Sequence, residues 1–175
     1  MAANWTPFVS GAVLTASQLN GVVDNFADMA IFREEQASGT NGGTFTSGSY
    51  IKRTLNTSVV NNIASCTLAS SVVSLPAGTY LIRGIATAYG ALNGVQARIA
   101  NTTDSTYSYG QSNYYVNGGT STGHNTVETV VTIAGTKNFE LQHRCASTVA
   151  SNGLGNSVAF GNIEVYSQLF IARIA

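Results

Sequence analysis

Acid–base chemistry in residues 50–175 would rest on four carboxylates and two histidines: Asp104, Glu128, Glu140, Glu164, His124 and His143. Two carboxyl groups about 5 to 10 Å apart would suit the cleavage of a glycosidic bond. The alternative is that these carboxylates form ion pairs. The chain contains no P-loop, no Rossmann glycine pattern and no His-Glu-x-x-His sequence. The sequence therefore predicts no catalytic residue, and a glycan-cleaving enzyme is kept only as an alternative.

His143 and the two cysteines are predicted to be buried rather than reactive. His143 shares its strand parity with Phe139, Leu141 and Cys145, so it is expected in the core. A nucleophilic pair of Cys145 and His143 is excluded because residues two apart on a strand project side by side into the core. Cys66 and Cys145 belong to no Cys-x-x-Cys or Cys/His ligand spacing. We expect both thiols to stay reduced, and we predict no metal and no cofactor.

A tyrosine-rich segment, residues 107–115, is the place where surface chemistry could concentrate. It reads Tyr-Ser-Tyr-Gly-Gln-Ser-Asn-Tyr-Tyr. Aromatic faces combined with amides suit sugar binding by stacking and hydrogen bonding, and they suit protein contacts equally well. Two interpretations stay open, namely packing within strands and a trimer, or contact with a ligand. The candidate ligand contacts are Tyr107, Tyr109, Tyr114 and Tyr115.

The composition limits the partners of the chain. Its 175 residues suit one domain with a proper core. Charged residues make up 9% of the chain against about 25% in typical domains. Eight basic residues balance eight acidic ones, so the phosphate neutralisation that drives nucleic-acid binding has no source. No apolar run of 18 residues and no signal peptide occurs, so we predict no membrane insertion.

The elements that would position these residues are strands. Pro76 and Gly78 predict a turn, and a strand without helical spacing follows. Similar segments recur with turn residues between them and no helical pattern, which is typical of a sandwich or a closed barrel. The predicted strands are Tyr50–Asn56, Ile63–Ala69, Val72–Leu75, Thr79–Tyr89, Val95–Asn101, Tyr107–Val116, Asn125–Ala134, Asn138–Cys145 and Asn162–Ile174.

The predicted strands are of two kinds. Val95–Asn101 and Asn138–Cys145 alternate between apolar and polar residues, which indicates one wet face. Thr79–Tyr89, Asn162–Ile174 and, more weakly, the segment around Val130 are apolar on both faces. If these three lie in one sheet, another subunit is expected to cover its second face. The predicted trimer-interface residues are Leu81, Ile85, Tyr89, Val130, Tyr166 and Phe170.

The first 36 residues differ from the rest. Thr15 and Gln18 form a capping box, and apolar residues then repeat at helical intervals, which predicts an amphipathic helix at about 16–34. Residues 37–49 contain four glycines among many serines and threonines and are predicted to be a linker. The expected division is therefore 1–36 as an N-terminal segment, 37–49 as a linker and 50–175 as the β domain.

The N-terminal segment resembles a stretch found in tailed-bacteriophage fibre and other virion proteins. The residues that carry the resemblance are Trp5, Gly11, Val13, Thr15-Ala16, Leu19-Asn20 and Asp24-Asn25, with a longer spacing from Trp5 to Gly11 than in that pattern. The resemblance implies that this segment docks on the virus particle. The expected docking residues are Trp5, Leu14, Leu19, Val22, Val23 and Phe26.

The β domain is similar to the C-terminal heads of phage and viral fibres with the jelly roll of the complement C1q and tumour necrosis factor (TNF) group. The similarity lies in Arg53-x-Leu55-Asn56, Leu75-Pro76-Ala77-Gly78-Thr79-Tyr80, Ala97-Arg98-Ile99-x-Asn101-x-Thr103, Phe139-Glu140-Leu141-Gln142-His143 and Ile163-Glu164-Val165. It implies a ten-strand jelly roll that trimerises through the sheet containing the third, sixth and last main strands. It also makes neighbours of the strands carrying Glu128, Glu164 and Arg83, which favours ion pairing. The likeness to the calcium-binding members fails because Asp104 has no acidic residue near it.

We therefore predict a mainly β fold, a C1q/TNF-like jelly-roll β-sandwich preceded by one short α-helix. The predicted function is that of a non-enzymatic bacteriophage structural protein, a trimeric short fibre whose exposed head binds the host surface. The alternative is a capsid decoration (cement) or head-fibre protein. The expected partners are its own copies, tail, baseplate or capsid proteins, and a host surface glycan. The expected location is the virion, assembled in the host cytoplasm.

Overall fold

Strands make up almost all of the regular structure. The structure is a computed structural model that describes residues 11, 13, 15, 16, 28–115 and 122–174, without the side chains of Tyr115 and Thr122. The strands of these residues are β1 (Met29–Gln36), β2 (Ile51–Lys52), β3 (Thr57–Asn61), β4 (Thr67–Ala69), β5 (Val72–Leu75), β6 (Gly78–Tyr89), β7 (Asn93–Asn101), β8 (Thr106–Tyr115), β9 (Thr122–Ile133), β10 (Lys137–Cys145) and β11 (Glu164–Arg173).

The strands form two antiparallel sheets. The five-stranded sheet has the order β3-β1-β11-β6-β9. The six-stranded sheet has the order β4-β5-β10-β7-β8, with the short β2 paired to β10. The predicted mainly β, jelly-roll sandwich is confirmed.

The core lies between the inner faces of the two sheets. In β6, the side chains of Tyr80, Ile82 and Ala86 are fully buried, whereas Leu81, Arg83 and Ile85 face outward. From the six-stranded sheet, β10 contributes Phe139 and Leu141 to the same cluster. A second, smaller cluster contains Phe45, Leu92 and Cys145.

The sheets approach each other closely along β8 and β9. A Cβ atom on Gly110 in β8 would lie 2.1 Å from the Thr126 carbonyl oxygen in β9, so only glycine fits there. Nearby, the Ser108 hydroxyl donates a hydrogen bond of 3.0 Å to the Thr129 hydroxyl. The tyrosine-rich strand β8 is thereby fixed against the edge of the five-stranded sheet.

The three strands predicted to be apolar on both faces are neighbours, as β11, β6 and β9 in the five-stranded sheet. The two strands predicted to have one wet face are β7 and β10, which are neighbours in the six-stranded sheet. The periodicity therefore separated the two sheets correctly.

The predicted helix at about 16–34 is wrong in its last part. Residues 29–36 form strand β1, which lies between β3 and β11. Ala16 is helical, and residues 17–27 lie outside the described part of the chain. Ala30 and Phe32 face the core and Ile31 faces outward, so a period of two replaces the expected helical spacing.

The predicted linker, residues 37–49, is packed against the domain. Phe45 is fully buried, and its amide and carbonyl form a bridge with Val149. The partner segment permits this close contact, since a Cβ on Gly153 would lie 2.7 Å from the Phe45 Cβ. Within the predicted linker, a Cβ on Gly42 would lie 2.9 Å from the Leu154 backbone, so this glycine is also required for close packing.

Within the described residues, no helix is both long enough and apolar enough to span a membrane.

Candidate functional site

The outward surface of the five-stranded sheet carries an apolar patch, which we call the outer apolar face. It consists of Ile31, Leu81, Ile85, Val130 and Phe170. In the strand register Phe170 lies opposite Ile31, and Leu81 lies opposite Val130. Val130 is 57% exposed, and the other four side chains are half-buried. Four neighbouring strands thus present apolar side chains together.

Polar groups cross the middle of this face as paired residues. Arg83 is 4.0 Å from Glu128 on the next strand, and Arg33 donates a hydrogen bond of 2.8 Å to the Gln168 side chain. A depression of about 310 Å³ lies over Leu81, Arg83, Ile85, Glu128, Gln168 and Phe170. The charged side chains of the outer apolar face are therefore paired within one chain. This pairing lowers the free-energy cost of burying the face against another subunit.

Five of the six predicted interface residues lie on this surface and one does not. Leu81, Ile85, Val130 and Phe170 belong to the outer apolar face, and Tyr89 follows at the end of β6 with the same outward parity. Tyr166 is buried instead, because an irregularity of the β1–β11 register between Glu34 and Glu35 turns it inward. Its hydroxyl donates a hydrogen bond of 2.7 Å to the Thr40 carbonyl, and burial raises the pKa of Tyr166 to about 12.

The outward surface of the six-stranded sheet carries a cluster that we call the tyrosine–arginine face. Its members are Tyr50, Arg98, Tyr107, Tyr109 and Arg144. The Arg98 guanidinium lies 3.9 Å from the ring centroid of Tyr50 and 3.9 Å from that of Tyr107. The Arg144 guanidinium lies 5.9 Å from the Tyr50 ring. Arg98 is therefore held between two aromatic rings, an arrangement that fixes its position.

Side-chain amides hold the tyrosine–arginine face in place. Arg98 Nε donates a hydrogen bond of 2.7 Å to Gln142 Oε1, and the Tyr50 hydroxyl donates one to Gln96. Gln96 in turn donates bonds of 3.0 Å to the Ser112 hydroxyl and 3.1 Å to the Gly110 carbonyl. Burial raises the pKa of Tyr50, so its phenol stays neutral at physiological pH although Arg98 opposes this shift.

The predicted ligand-contact tyrosines are placed as follows. Tyr107, Tyr109 and Tyr114 are exposed, and Tyr114 reaches 74%. Tyr115 ends β8, and its side chain lies outside the described part. The sequence missed Tyr50, Arg98 and Arg144, although the alternation of β7 and β10 put both arginines on a wet face.

A buried polar cluster occupies the inside of the sandwich. The Arg53 guanidinium is fully buried and lies 2.9 Å from Glu34. It also donates hydrogen bonds to the carbonyls of Leu154 at 2.8 Å, Tyr166 at 3.3 Å and Thr87 at 3.3 Å. Burial raises the pKa of Glu34 and lowers that of Arg53, each against the attraction of its partner.

His143 is a core histidine, as predicted. Its Nε2 atom lies 2.9 Å from Asn125 Oδ1, and its ring centroid lies 4.6 Å from that of Phe45. Burial, aided by the charge of Arg53, lowers the pKa of His143 well below its usual value. His143 Nδ1 has no hydrogen-bond partner among the described atoms. The ring is therefore neutral and enclosed, which suits packing and not proton transfer to a substrate.

The carboxylates considered for catalysis have structural partners. Asp104 is 2.6 Å from Lys137, and Glu140 is 3.7 Å from Lys52. Glu128 pairs with Arg83 as expected, but Glu164 does not join them. It is buried and accepts hydrogen bonds from the backbone amides of Gly39 at 3.1 Å, Val158 at 3.3 Å and Ala159 at 2.9 Å. No cluster of three or more His, Cys, Asp or Glu residues suited to a metal occurs in the described residues.

Both cysteines are free and buried. Cys66 precedes β4 and belongs to the larger core cluster, whereas Cys145 ends β10 in the smaller one. The predicted strand Ile63–Ala69 is wrong in its first part, because only Thr67–Ala69 form β4 and Cys66 lies in the turn before it. Burial raises the pKa of each thiol to about 11.

The predicted docking residues Trp5, Leu14, Leu19, Val22, Val23 and Phe26 lie outside the described residues.

Comparisons with known proteins address the fold. No protein-family model matches the sequence, and no curated protein matches it. The globular domain of zebrafish complement 1qA protein is similar at 9% identity, with a TM-score of 0.54 over 85% of this chain and 98% of that chain. The Eiger TNF of S. frugiperda is similar at 11% identity, with a TM-score of 0.51 over 84% of this chain and 92% of that chain. Murine APRIL at pH 5.0 is similar at 7% identity, with a TM-score of 0.50 over 82% of this chain and 98% of that chain. At these identities the similarity is one of fold, and the chain has the C1q/TNF-like jelly roll.

Proposed function

We propose that the chain is a non-enzymatic structural protein of a bacteriophage virion, a trimeric short fibre whose jelly-roll head binds the host surface. The observation that carries the proposal is the outer apolar face. Side chains of four neighbouring strands leave apolar area exposed on the outward surface of the five-stranded sheet, although the core between the two sheets is already filled by their inner faces. Monomeric soluble proteins seldom expose contiguous patches of this kind.

Self-association explains this face better than a different partner does. Its arginines already have acidic partners, Arg83 with Glu128 at 4.0 Å and Arg33 with Glu35 at 3.9 Å, so it offers no excess charge to attract a charged protein. A closed symmetric assembly covers the same face on every copy. The C1q/TNF-like fold is consistent with a trimer.

A non-enzymatic role agrees with the placement of the ionisable groups. The four carboxylates that could have served acid–base chemistry are bound in ion pairs or to backbone amides. His143 is enclosed in the core. In the described residues the exposed side chains include tyrosines, amides, arginines and His124, a set that is suited to binding.

The virion role rests on the resemblance of the N-terminal segment to phage fibre proteins. Capsid decoration is the second candidate, because only residues 26–28 separate the stretch that resembles virion proteins, which ends at Asn25, from strand β1 of the head, which leaves no room for a long shaft between the two. In both roles residues 1–27 would dock on the particle and the head would face outward.

Two measurements test the proposal. Light scattering of the purified chain should give three times the mass of one chain, and a monomer would contradict the trimer. Immunogold labelling of tailed particles from the source culture, with an antibody against the purified chain, should place gold at the tail. Gold over the whole capsid would identify a decoration protein instead, and particles without gold would contradict the virion role.

A further inference from the structure

We propose that the tyrosine–arginine face is a binding site for a carboxylate-bearing polysaccharide, such as one rich in uronic or sialic acids. This inference rests on the proposed host-surface role, because it names the chemical class of surface molecule that the head would recognise. It goes beyond that role by assigning the site to the outward surface of the six-stranded sheet.

The charge of the face favours an anion. Arg33, Lys52, Arg53, Arg83, Lys137 and Arg173 each have an acidic residue within 4.0 Å. Arg98 and Arg144 are the arginines of the described residues for which no such partner is found, and both lie beside the ring of Tyr50. The nearest acid on this surface, Glu140, is occupied by Lys52 and Gln142. Two cations on one face are therefore left for a ligand.

The geometry of Arg98 favours a carboxylate in particular. The rings of Tyr50 and Tyr107 both contact its guanidinium, each with its centroid 3.9 Å away, and Nε is bound to Gln142. Its two terminal amino groups have no hydrogen-bond partner among the described residues. A guanidinium held in this way presents a planar pair of donors, which matches the two oxygens of a carboxylate.

The surroundings suit a sugar and argue against a nucleic acid. Tyr107 is 45% exposed and Tyr109 is 55% exposed, and their ring centroids lie 6.3 Å apart. Flat rings beside amide and hydroxyl groups provide stacking and hydrogen bonding for pyranose rings. Two unpaired cations are too few for the phosphate neutralisation that nucleic acids require. Tyrosine and arginine are also common in protein interfaces, so an acidic polypeptide is included as a probe in the experiment.

Binding of the full-length protein to immobilised polysaccharides tests the inference. The probes are polygalacturonate, hyaluronan and colominic acid, each beside its carboxyl-reduced form, together with poly-L-glutamate. We expect binding to at least one carboxylated polysaccharide, weakened at least about tenfold by carboxyl reduction and weakened further by added salt. The molar mass of every sample is measured by light scattering, so a failure of the proposed trimer is seen separately from a failure of sugar binding.

Three variants locate the site. Arg98→Gln and Arg144→Gln should each weaken binding by at least about tenfold. Arg144→Gln carries little risk to folding, because Arg144 is exposed and forms no hydrogen bond or ion pair among the described residues. Lys137→Gln is the matched control, since it removes one positive charge from the other end of the same strand β10 and should leave binding unchanged.

Several results would overturn the inference. Binding to none of the three carboxylated polysaccharides would do so, as would equal binding to poly-L-glutamate, which would indicate recognition of charge or of an acidic protein. Unchanged binding by folded Arg98→Gln and Arg144→Gln proteins would show that the sugar binds elsewhere.

Discussion

The Arg53 guanidinium lies 2.9 Å from the Glu34 carboxylate, and both side chains are out of contact with solvent inside the sandwich. Arg53 follows β2 beside the six-stranded sheet, and Glu34 belongs to β1 of the five-stranded sheet. The Ser167 hydroxyl donates a further hydrogen bond of 3.2 Å to Glu34. The pair thus joins the two sheets at a point where the core would otherwise be apolar.

We predict that breaking this pair on one side is costly. Glu34→Leu leaves the buried Arg53 charge without a counter-ion, and Arg53→Met leaves Glu34 alone, so each should lower the free energy of unfolding by about 3–5 kcal/mol. Because burial opposes ionisation of both groups, the double change Glu34→Leu with Arg53→Met should cost much less than the sum of the two single changes. Urea unfolding at a fixed protein concentration measures all four proteins. Additive costs would contradict coupling of the pair.

The same pair explains why the sequence misled about β1. Its inward residues are Ala30, Phe32 and Glu34, so a charged residue occupies a core position and hides the alternation of a strand. The apolar residues before it also fit helical spacing, and short apolar runs of this kind suit either structure. Arg53, the partner of Glu34, is 19 residues away in the sequence. The residues next to Glu34 therefore gave no indication that a buried counter-ion would neutralise its charge.

The candidate sites were predictable to different degrees. Leu81, Ile85 and Phe170 could be identified because they alternate with core residues along single strands. Tyr166 was expected to face outward in the same way, but the irregular register between β1 and β11 turns its side chain inward. No residue type in the sequence indicates this irregularity. The tyrosine–arginine face could not be predicted from the sequence. Tyr50 and Arg98 come into contact only because three strands that are far apart in sequence pair with one another.

Glu164 should make the stability of the protein depend on pH. Hydrogen bonds from the backbone amides of Ala159 and Gly39 lower the pKa of this carboxylate. The stabilisation is therefore complete above the unfolded pKa of about 4.3 and is lost as the pH falls through the lower folded pKa. Glu164→Gln should lower the melting temperature at pH 7, and the difference from the native protein should shrink in acid. Melting curves from about pH 7 to pH 3 measure this.

Glu140→Gln is the control for that experiment, because Glu140 lies on the outward surface of the six-stranded sheet, away from the outer apolar face, and its carboxylate is 3.7 Å from Lys52. It should lower the melting temperature at pH 7 less than Glu164→Gln does, since surface ion pairs contribute little to stability. A Glu164→Gln protein that melts like the native one at pH 7 would show that the three backbone bonds do not stabilise the fold.

Both thiols should resist modification in the folded protein. Cys66 and Cys145 are buried, and their pKa values of about 11 leave almost no thiolate at neutral pH. Iodoacetamide should label neither residue in buffer and both in urea, as measured by mass spectrometry. A Cys66–Cys145 disulfide in the purified protein would contradict the prediction that they stay reduced.

Two truncations separate docking from folding. A chain of residues 28–175 keeps β1 and the pair of Asp28 with Arg173, 3.8 Å apart, and should fold and trimerise without joining virus particles. A chain of residues 43–175 loses β1 from between β3 and β11, together with Phe32 and Glu34, and should not fold. Circular dichroism and light scattering measure folding, and immunoblots of purified particles measure incorporation. Normal incorporation of residues 28–175 would show that the N-terminal segment is not the docking element.

Phe170→Lys should abolish the trimer. Phe170 lies between Ile31 and Arg83 in the strand register, near the centre of the outer apolar face. A lysine there would place three charges in the proposed interface, so desolvation and repulsion should cost several kcal/mol per trimer, in the range of about 3–5 kcal/mol. Light scattering at micromolar concentration should find a monomer or an aggregate.

Phe160→Lys is the matched control, since it makes the same substitution at a phenylalanine that is 82% exposed in the loop before β11. Its effect on stability should stay within about 0.5 kcal/mol, as is usual for surface positions, and the trimer should persist. If Phe170→Lys and Phe160→Lys were both trimeric and melted at the native temperature, the outer apolar face could not be the interface. The apolar side chains of β1, β6, β9 and β11 would then need a different occupant, and the outer apolar face would no longer support a fibre-like head.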